Sequence, residues 1–186
     1  VLEALSDLAG DFVVATAGPD LESVLAARGA GAVSFSEETG KTVLHMDIGG
    51  GTANLALIRE GKIIRTGCLN VGGRLLRFTP EGRVSYVSPA LQGLWNTPPG
   101  ERADRQQVMA LARILAGALE EAAGMPVDTP APESLWTREV RSPWAAPEEV
   151  PVLSFSGGVA DCIEHAHPPQ TFGDIGVHLG QAIRRS

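Results

Sequence analysis

Val43-Leu44-His45-Met46-Asp47-Ile48-Gly49-Gly50-Gly51-Thr52-Ala53-Asn54-Leu55-Ala56-Leu57-Ile58 sets apolar runs on either side of an aspartate, three glycines and a threonine. This pattern predicts a strand, a phosphate-gripping glycine turn and a returning strand. Glycine tolerates positive φ and close backbone approach, and amides left unpaired in such a turn converge on one anion. The residues after the glycines exclude two other phosphate loops. A Walker A loop needs a lysine and a helix at that point, and neither is present. A dinucleotide fingerprint needs glycine at the sixth position, where Asn54 stands counting from Gly49. Instead Glu60-Gly61-Lys62 is turn chemistry and Ile63-Ile64 resumes a β-branched run, so the region reads as a three-stranded meander.

In that arrangement the amides of Gly49, Gly50, Gly51 and Thr52, with the Thr52 hydroxyl, hold terminal phosphate oxygens. Asp47 then faces a hydrated magnesium ion or an attacking water, because Mg2+ keeps most of its waters and takes one or two carboxylates plus phosphate. The plainer reading is a tight hairpin whose glycines only relieve crowding, with Asp47 bonded to neighbouring amides. Three consecutive glycines exceed what a hairpin requires, which favours the phosphate reading. A second pair follows the strand-like Pro151 to Phe155: Ser156-Gly157-Gly158, then Val159 to Ile163 as the first turns of a helix. Adjacent glycines there offer a flat surface to an adenine ring or ribose, and nearby helix amides favour phosphate. Alone, this pair fits a close strand-to-helix corner equally well. A third pair, Gly72-Gly73, follows Cys68-Leu69-Asn70-Val71, and Arg74 to Phe78 reads as a short helix after it.

The 186 residues, 44% of them hydrophobic, are enough for one sizeable core. Aromatics make up only 5%, so that core is expected to be aliphatic, as in mixed α/β layers. A formal charge of -7 argues against a nucleic-acid binder, which would carry a basic stripe. It does not bear against nucleotide, which local amides hold whatever the global charge. Cys68 and Cys162 are far apart and lack zinc-site spacing, so both read as buried small residues of a cytoplasmic chain. No apolar run reaches membrane-spanning length.

Elsewhere, Asp20 reads as the cap of a helix to about Arg28, after a strand at Phe12 to Ala15. Arg83 to Val87 alternates like a strand. The longest helical pattern runs from Glu101 to Ala123, with Val108, Leu111, Leu115, Leu119 and Ala122 as a core stripe and Arg102, Arg105, Arg113, Glu120 and Glu121 opposite. Pro126 to Pro151 is proline-rich and reads as an extended excursion anchored by Trp136 and Trp144. His165-x-His167 has no third ligand nearby and reads as a solvated cap rather than a metal pair. Asp174 begins the last helix, whose Gly176 and Gly180, with Gly173, allow close packing.

Taken in order, D-I-G-G-G-T, N-V-G-G and S-G-G before a helix resemble the motifs of the actin-like ATPase superfamily, which includes actin, sugar kinases and heat-shock chaperone ATPases. More narrowly, Leu5 to Gly18, Gly67 to Arg74 and Ser154 to Asp161 resemble the reactivating factors of ethanolamine ammonia-lyase; the likeness covers most of the chain outside residues 124 to 150. The resemblance implies an α/β fold, a ribonuclease-H-like mixed sheet with flanking helices forming one lobe of an actin-like ATPase. In it, residues 1–40 are a lobe-junction segment, 41–78 and 151–186 the core, and 79–150 an insertion. It implies ATP/ADP and Mg2+ as ligands, the latter met by Asp47 through water, with Asp47 also catalytic. Gly49, Gly50, Gly51, Thr52, Asn54, Gly72, Gly73, Gly157 and Gly158 are then nucleotide-binding. The implied activity is chaperone-like: weak ATP hydrolysis in the full-length protein drives exchange of damaged cobalamin from the lyase, with the nucleotide and the lyase as partners and no nucleic acid or membrane. The expected location is the cytoplasm, in association with a bacterial microcompartment. Alternatives within the resemblance are a small-molecule kinase or phosphatase, and a non-catalytic nucleotide-binding scaffold. One departure stands out, because the superfamily's first phosphate loop has no counterpart here: Asp11 precedes Phe-Val-Val and Asp7 precedes Leu-Ala-Gly. With Val1 at the start, this leads to the expectation of a fragment carrying one lobe of a two-lobed cleft.

Overall fold

The computed structural model describes residues 19–137, 151–165 and 173–185. Its centre is a four-stranded mixed sheet in the order β3-β2-β1-β6, formed by β1 (Val43–Ile48), β2 (Ala53–Arg59), β3 (Lys62–Leu69) and β6 (Val152–Ser156). The first three form the antiparallel meander expected from the sequence, while β6 joins β1 in parallel, with Val43 opposite Val152. β1 is covered on both faces, which is why it reads as a continuous apolar run interrupted at His45 and Asp47.

Alternation along the strands sorts the side chains. Leu44, Met46, Ile48, Ala53, Leu55 and Leu57 face one side and join the main core, to which α3 (Arg105–Ala122) and α5 (Gly176–Arg185) contribute Leu111, Leu115, Leu119 and Leu179. The opposite side carries Val43, Ala56 and Ile58, packed with Ala27 and Ala32 of α1 (Pro19–Gly29) and α2 (Ala32–Thr39). The core is aliphatic, as the composition implies: among its fully buried large side chains are Leu44, Leu55, Leu69, Leu111 and Ile175.

The sequence placed the α3 stripe correctly, since Val108, Leu111, Leu115, Leu119 and Ala122 are all buried. Asp104 caps the helix, its carboxylate accepting the Gln107 N–H at 3.0 Å, so α3 starts just after it. Asp20, by contrast, does not precede its helix but lies in the first turn after Pro19, where its carboxylate accepts the Thr66 hydroxyl at 2.6 Å.

A second correction concerns Arg74 to Phe78, which is not helical. Leu76–Phe78 is strand β4, paired antiparallel with β5 (Val84–Val87). Pro80 disfavours a helical Thr79, so any helix begun at Arg74 would be held to little more than one turn. Extended, the segment is tied on its other edge too: Phe78 N–H donates to Gly173 O at 2.6 Å and Ile175 N–H to Leu76 O at 3.1 Å. Gly72-Gly73 therefore joins strand to strand.

Cys68 and Cys162 are buried thiols. Trp136 is half-buried, donating its indole N–H to Ala131 O at 3.3 Å. The strand expected at Phe12 to Ala15, Trp144, and His167 with its two prolines lie outside the described residues. Among the described residues no helix is long and apolar enough to cross a membrane.

Candidate functional site

The three glycine motifs, scattered through more than a hundred residues of sequence, meet at one end of the sheet. The turn after β1 is closed by Gly49 N–H donating to Thr52 O at 2.9 Å. Gly73 N–H then donates to Gly49 O at 2.9 Å and Arg74 N–H to Gly50 O at 2.6 Å, so the segment after β3 is bonded directly onto the turn. From the other side Val159 N–H donates to Ile48 O at 3.2 Å, fixing the Gly157-Gly158 corner and the helix α4 (Ala160–Glu164) beside it.

The turn does not use the positive φ that its glycines permit. Gly49, Gly50 and Gly51 do not have positive φ. A Cβ on Gly51 would meet nothing within 4 Å, and one on Gly50 would meet only the stem of Arg74, at 3.1 Å from Cδ. The stringent positions are Gly72 and Gly157. A Cβ on Gly72 would lie 2.5 Å from Gly50 O, and one on Gly157 the same distance from Ile48 O, with Gly157 also at φ +85°. Gly72 and Gly157 thus hold the assembly together, while Gly50 and Gly51 keep the turn's outer surface bare. Gly73 packs between Val159 and Gly176, and a Cβ on Gly158 would meet nothing.

The turn's hydrogen-bonding capacity is largely unspent. Gly49 N–H is used internally, but the amides of Gly50, Gly51 and Thr52 and the Thr52 hydroxyl have no bond among the described residues, and Gly51 and Thr52 are exposed. Successive donors on one bare turn suit an anionic oxygen.

Asp47, the next-to-last residue of β1, is half-buried, and its Oδ1 accepts the Ser156 hydroxyl at 2.6 Å. Asn54 is its cross-strand partner, 7% exposed, with its amide nitrogen donating to Glu22 of α1 at 3.1 Å. Among the described residues the Asn54 side-chain carbonyl oxygen is buried without a hydrogen bond. An orphaned acceptor costs about 1–3 kcal/mol, so it points to a water or other donor beside Asp47. These features fit magnesium held through water: one carboxylate, a neighbouring amide oxygen and a turn of free N–H groups for the phosphate it accompanies. Among the described residues no cluster of three or more His, Cys, Asp or Glu could hold a metal directly.

Sequence reasoning missed three residues here. His45 is fully buried between Ser154 (Nδ1 to Oγ, 3.1 Å) and Ser156 (Nε2 to Oγ, 3.1 Å). Burial pushes its imidazole below the ordinary histidine range, and Asp47 pulls more weakly the other way. The signal was a His-x-Asp on one strand and a Ser-x-Ser on another, but only their register makes it a cluster. His165 is an exposed residue at the end of α4 and shares no cluster with the glycines. Arg113 lines a separate cleft of about 710 Å³ between α3, α5 and Pro126 to Pro132.

Together these elements define an α/β domain whose mixed sheet ends in a glycine-lined turn of free amides beside a carboxylate. The chain belongs to the family described as ethanolamine utilisation protein EutA, whose model matches residues 1–186. It is 41% identical over 186 residues to the ethanolamine ammonia-lyase reactivase EutA of Escherichia coli K12, covering 97% of this chain and 39% of that protein. The same figures hold for the reactivase of Salmonella typhimurium LT2, so the chain spans about 39% of the length of the curated relatives it matches. A stretch covering 28% of this chain and 15% of MreB 5 of Spiroplasma citri, solved with AMPPNP bound, is 40% identical with a TM-score of 0.22.

Proposed function

We propose that this chain is the nucleotide-gripping lobe of a longer, actin-like reactivase that uses ATP to restore ethanolamine ammonia-lyase, releasing damaged cobalamin so that intact adenosylcobalamin can enter. The observation that carries the reading is the meeting of all three glycine motifs at one sheet end, with the amides of Gly50, Gly51 and Thr52 unspent. It is supported by membership of the family and by the reactivase names of the relatives.

In this reading the Gly49 to Thr52 turn and the Thr52 hydroxyl hold terminal phosphate oxygens. Gly157-Gly158 forms the wall for the adenosine, and Gly72-Gly73 keeps the turn in place. Asp47 orients a water, either the attacking one or one bound to magnesium, with Asn54 accepting a hydrogen bond beside it. Magnesium would neutralise phosphate charge there. Residues 1–40 form the junction to a second lobe that supplies the remaining phosphate contacts, 41–78 and 151–186 the core, and 79–150 an insertion. Such a machine works by differential binding: nucleotide states with unequal affinity for two lobe angles shift the population between them, and that shift strains the lyase open. The setting proposed is cytoplasmic, at a bacterial microcompartment.

The test starts from lyase inactivated with a cobalamin lacking its adenosyl group. Full-length protein, MgATP and fresh adenosylcobalamin are added and deamination is followed. Recovery that requires both the protein and ATP is expected. Recovery without ATP, or none at all, overturns the reading.

A further inference from the structure

His45 has no part in the nucleotide contacts, yet it is 0% exposed and bonded through both ring nitrogens. The parallel pairing of β1 with β6 puts His45 opposite Ser154 and Asp47 opposite Ser156. The direction of each hydrogen bond is then fixed by proton counting. An ionised carboxylate can only accept, so Ser156 donates its single hydroxyl proton to Asp47 Oδ1 at 2.6 Å. Ser156 Oγ is left with only lone pairs for the imidazole, so His45 Nε2 must carry a proton and donate it at 3.1 Å. This half of the chain is the same whether the ring holds one proton or two. In the neutral ring, Nδ1 accepts from the Ser154 hydroxyl, also at 3.1 Å.

We propose that His45 is a positioning residue for Asp47: its Nε2–H locks the Ser156 hydroxyl onto Asp47 Oδ1 and leaves Oδ2 as the carboxylate oxygen that meets the site's water. No bond to that second oxygen exists among the described residues. Linked hydrogen bonds polarise one another in a low-dielectric interior, so the arrangement holds the carboxylate more firmly than Ser156 alone. Deepening the functional reading above, the inference rests on Asp47 acting in nucleotide hydrolysis.

The experiment uses the full-length protein and two readouts. MgATP hydrolysis and MgATP affinity are measured for wild type, Ser156→Ala, His45→Leu, the double variant and His45→Gln, which keeps an N–H donor of comparable reach. Removing an outer hydrogen-bond partner of a functional carboxylate typically lowers activity about 10–100-fold. Ser156→Ala and His45→Leu are expected to lose kcat in that range with unchanged MgATP Kd. The double variant is no worse than either single one, and His45→Gln recovers activity. Additive losses, or an unchanged kcat in Ser156→Ala, overturn the proposal even if His45→Leu fails to fold. The second readout is the long-range 1H–15N spectrum of the wild-type histidines. A proton on His45 Nε2 is expected, and an Nδ1–H tautomer with bare Nε2 overturns the relay. A wild type that hydrolyses no nucleotide but shows the Nε2 proton sinks the functional reading and leaves the hydrogen-bond chain standing.

Discussion

Gly72→Ala separates the roles of the glycines most sharply. An added Cβ would sit 2.5 Å from Gly50 O, 2.6 Å from Gly50 C and 2.8 Å from Gly51 N, all of them backbone atoms that no rotamer change can move. Relief requires the turn after β1 to shift away from Gly72, weakening the bonds Gly73 N–H to Gly49 O and Arg74 N–H to Gly50 O. Overpacking that displaces backbone costs about 1–3 kcal/mol. Because φ at Gly72 is not positive, conformational strain adds nothing to that figure. For a cooperative unit of about 150–250 residues about 1 kcal/mol corresponds to about 2–4 °C, so Gly72→Ala is expected to lower the midpoint of this lobe's own transition by roughly 2–12 °C. The assay is a circular-dichroism melt of the full-length protein beside the wild type, with MgATP binding measured well below the transition. Loss of binding should accompany the melt shift, since the displaced residues are those of the phosphate turn. An unshifted melt would refute the packing argument.

The same geometry sets four other outcomes. Asp47→Ala should remove MgATP hydrolysis from the full-length protein while the circular-dichroism spectrum stays native, and retained turnover would take Asp47 out of the mechanism. Gly180→Ala places a Cβ 2.5 Å from Cys162 Cβ and 2.6 Å from its backbone carbon, so it should destabilise the α4–α5 contact by about 1–3 kcal/mol, read from the urea midpoint. Asp104→Ala removes the α3 cap and should cost about 1 kcal/mol in the same assay. His45 and His178 both have folded pKa values below the ordinary 6.5, chiefly through burial and, for His178, also through Arg105. The unfolded chain therefore takes up protons first, so their contribution is fully present above about pH 6.5 and declines as pH falls below it. Urea midpoints between about pH 7.5 and 5 should show that decline, with a shallower slope in His178→Gln.

The meander and the α3 stripe were legible because each is written locally, in alternation or in a repeat of three and four residues. Asp47 and the glycines stood out for the same reason, since strand-flanked glycines have few uses. What escaped depended on partners distant in sequence. Arg74 to Phe78 carries residues that suit a helix, but pairing with β5 on one edge and, on the other, bonds to Gly173 and from Ile175, about a hundred residues away, make it a strand. His45 carries no signal of its own in the sequence; only the β6 register, which sets Ser154 and Ser156 beside it, gives it partners. The glycines were recognised as a set, yet not sorted: only the packed backbone reveals that Gly72 and Gly157 are crowded while Gly51 is open.

That openness supplies the most direct test of the nucleotide grip. A methyl group on Gly51 meets no atom within 4 Å and needs no unusual φ, so Gly51→Ala should leave stability within about 0.5 kcal/mol of wild type or slightly raise it. The same methyl stands on the bare surface where phosphate is proposed to lie. Calorimetric titration of the full-length protein with MgATP should show affinity weakened by about tenfold or more, about 1.4 kcal/mol, beside an unaltered melt. Equal affinity in wild type and Gly51→Ala would mean that phosphate does not rest on this turn, contradicting the account.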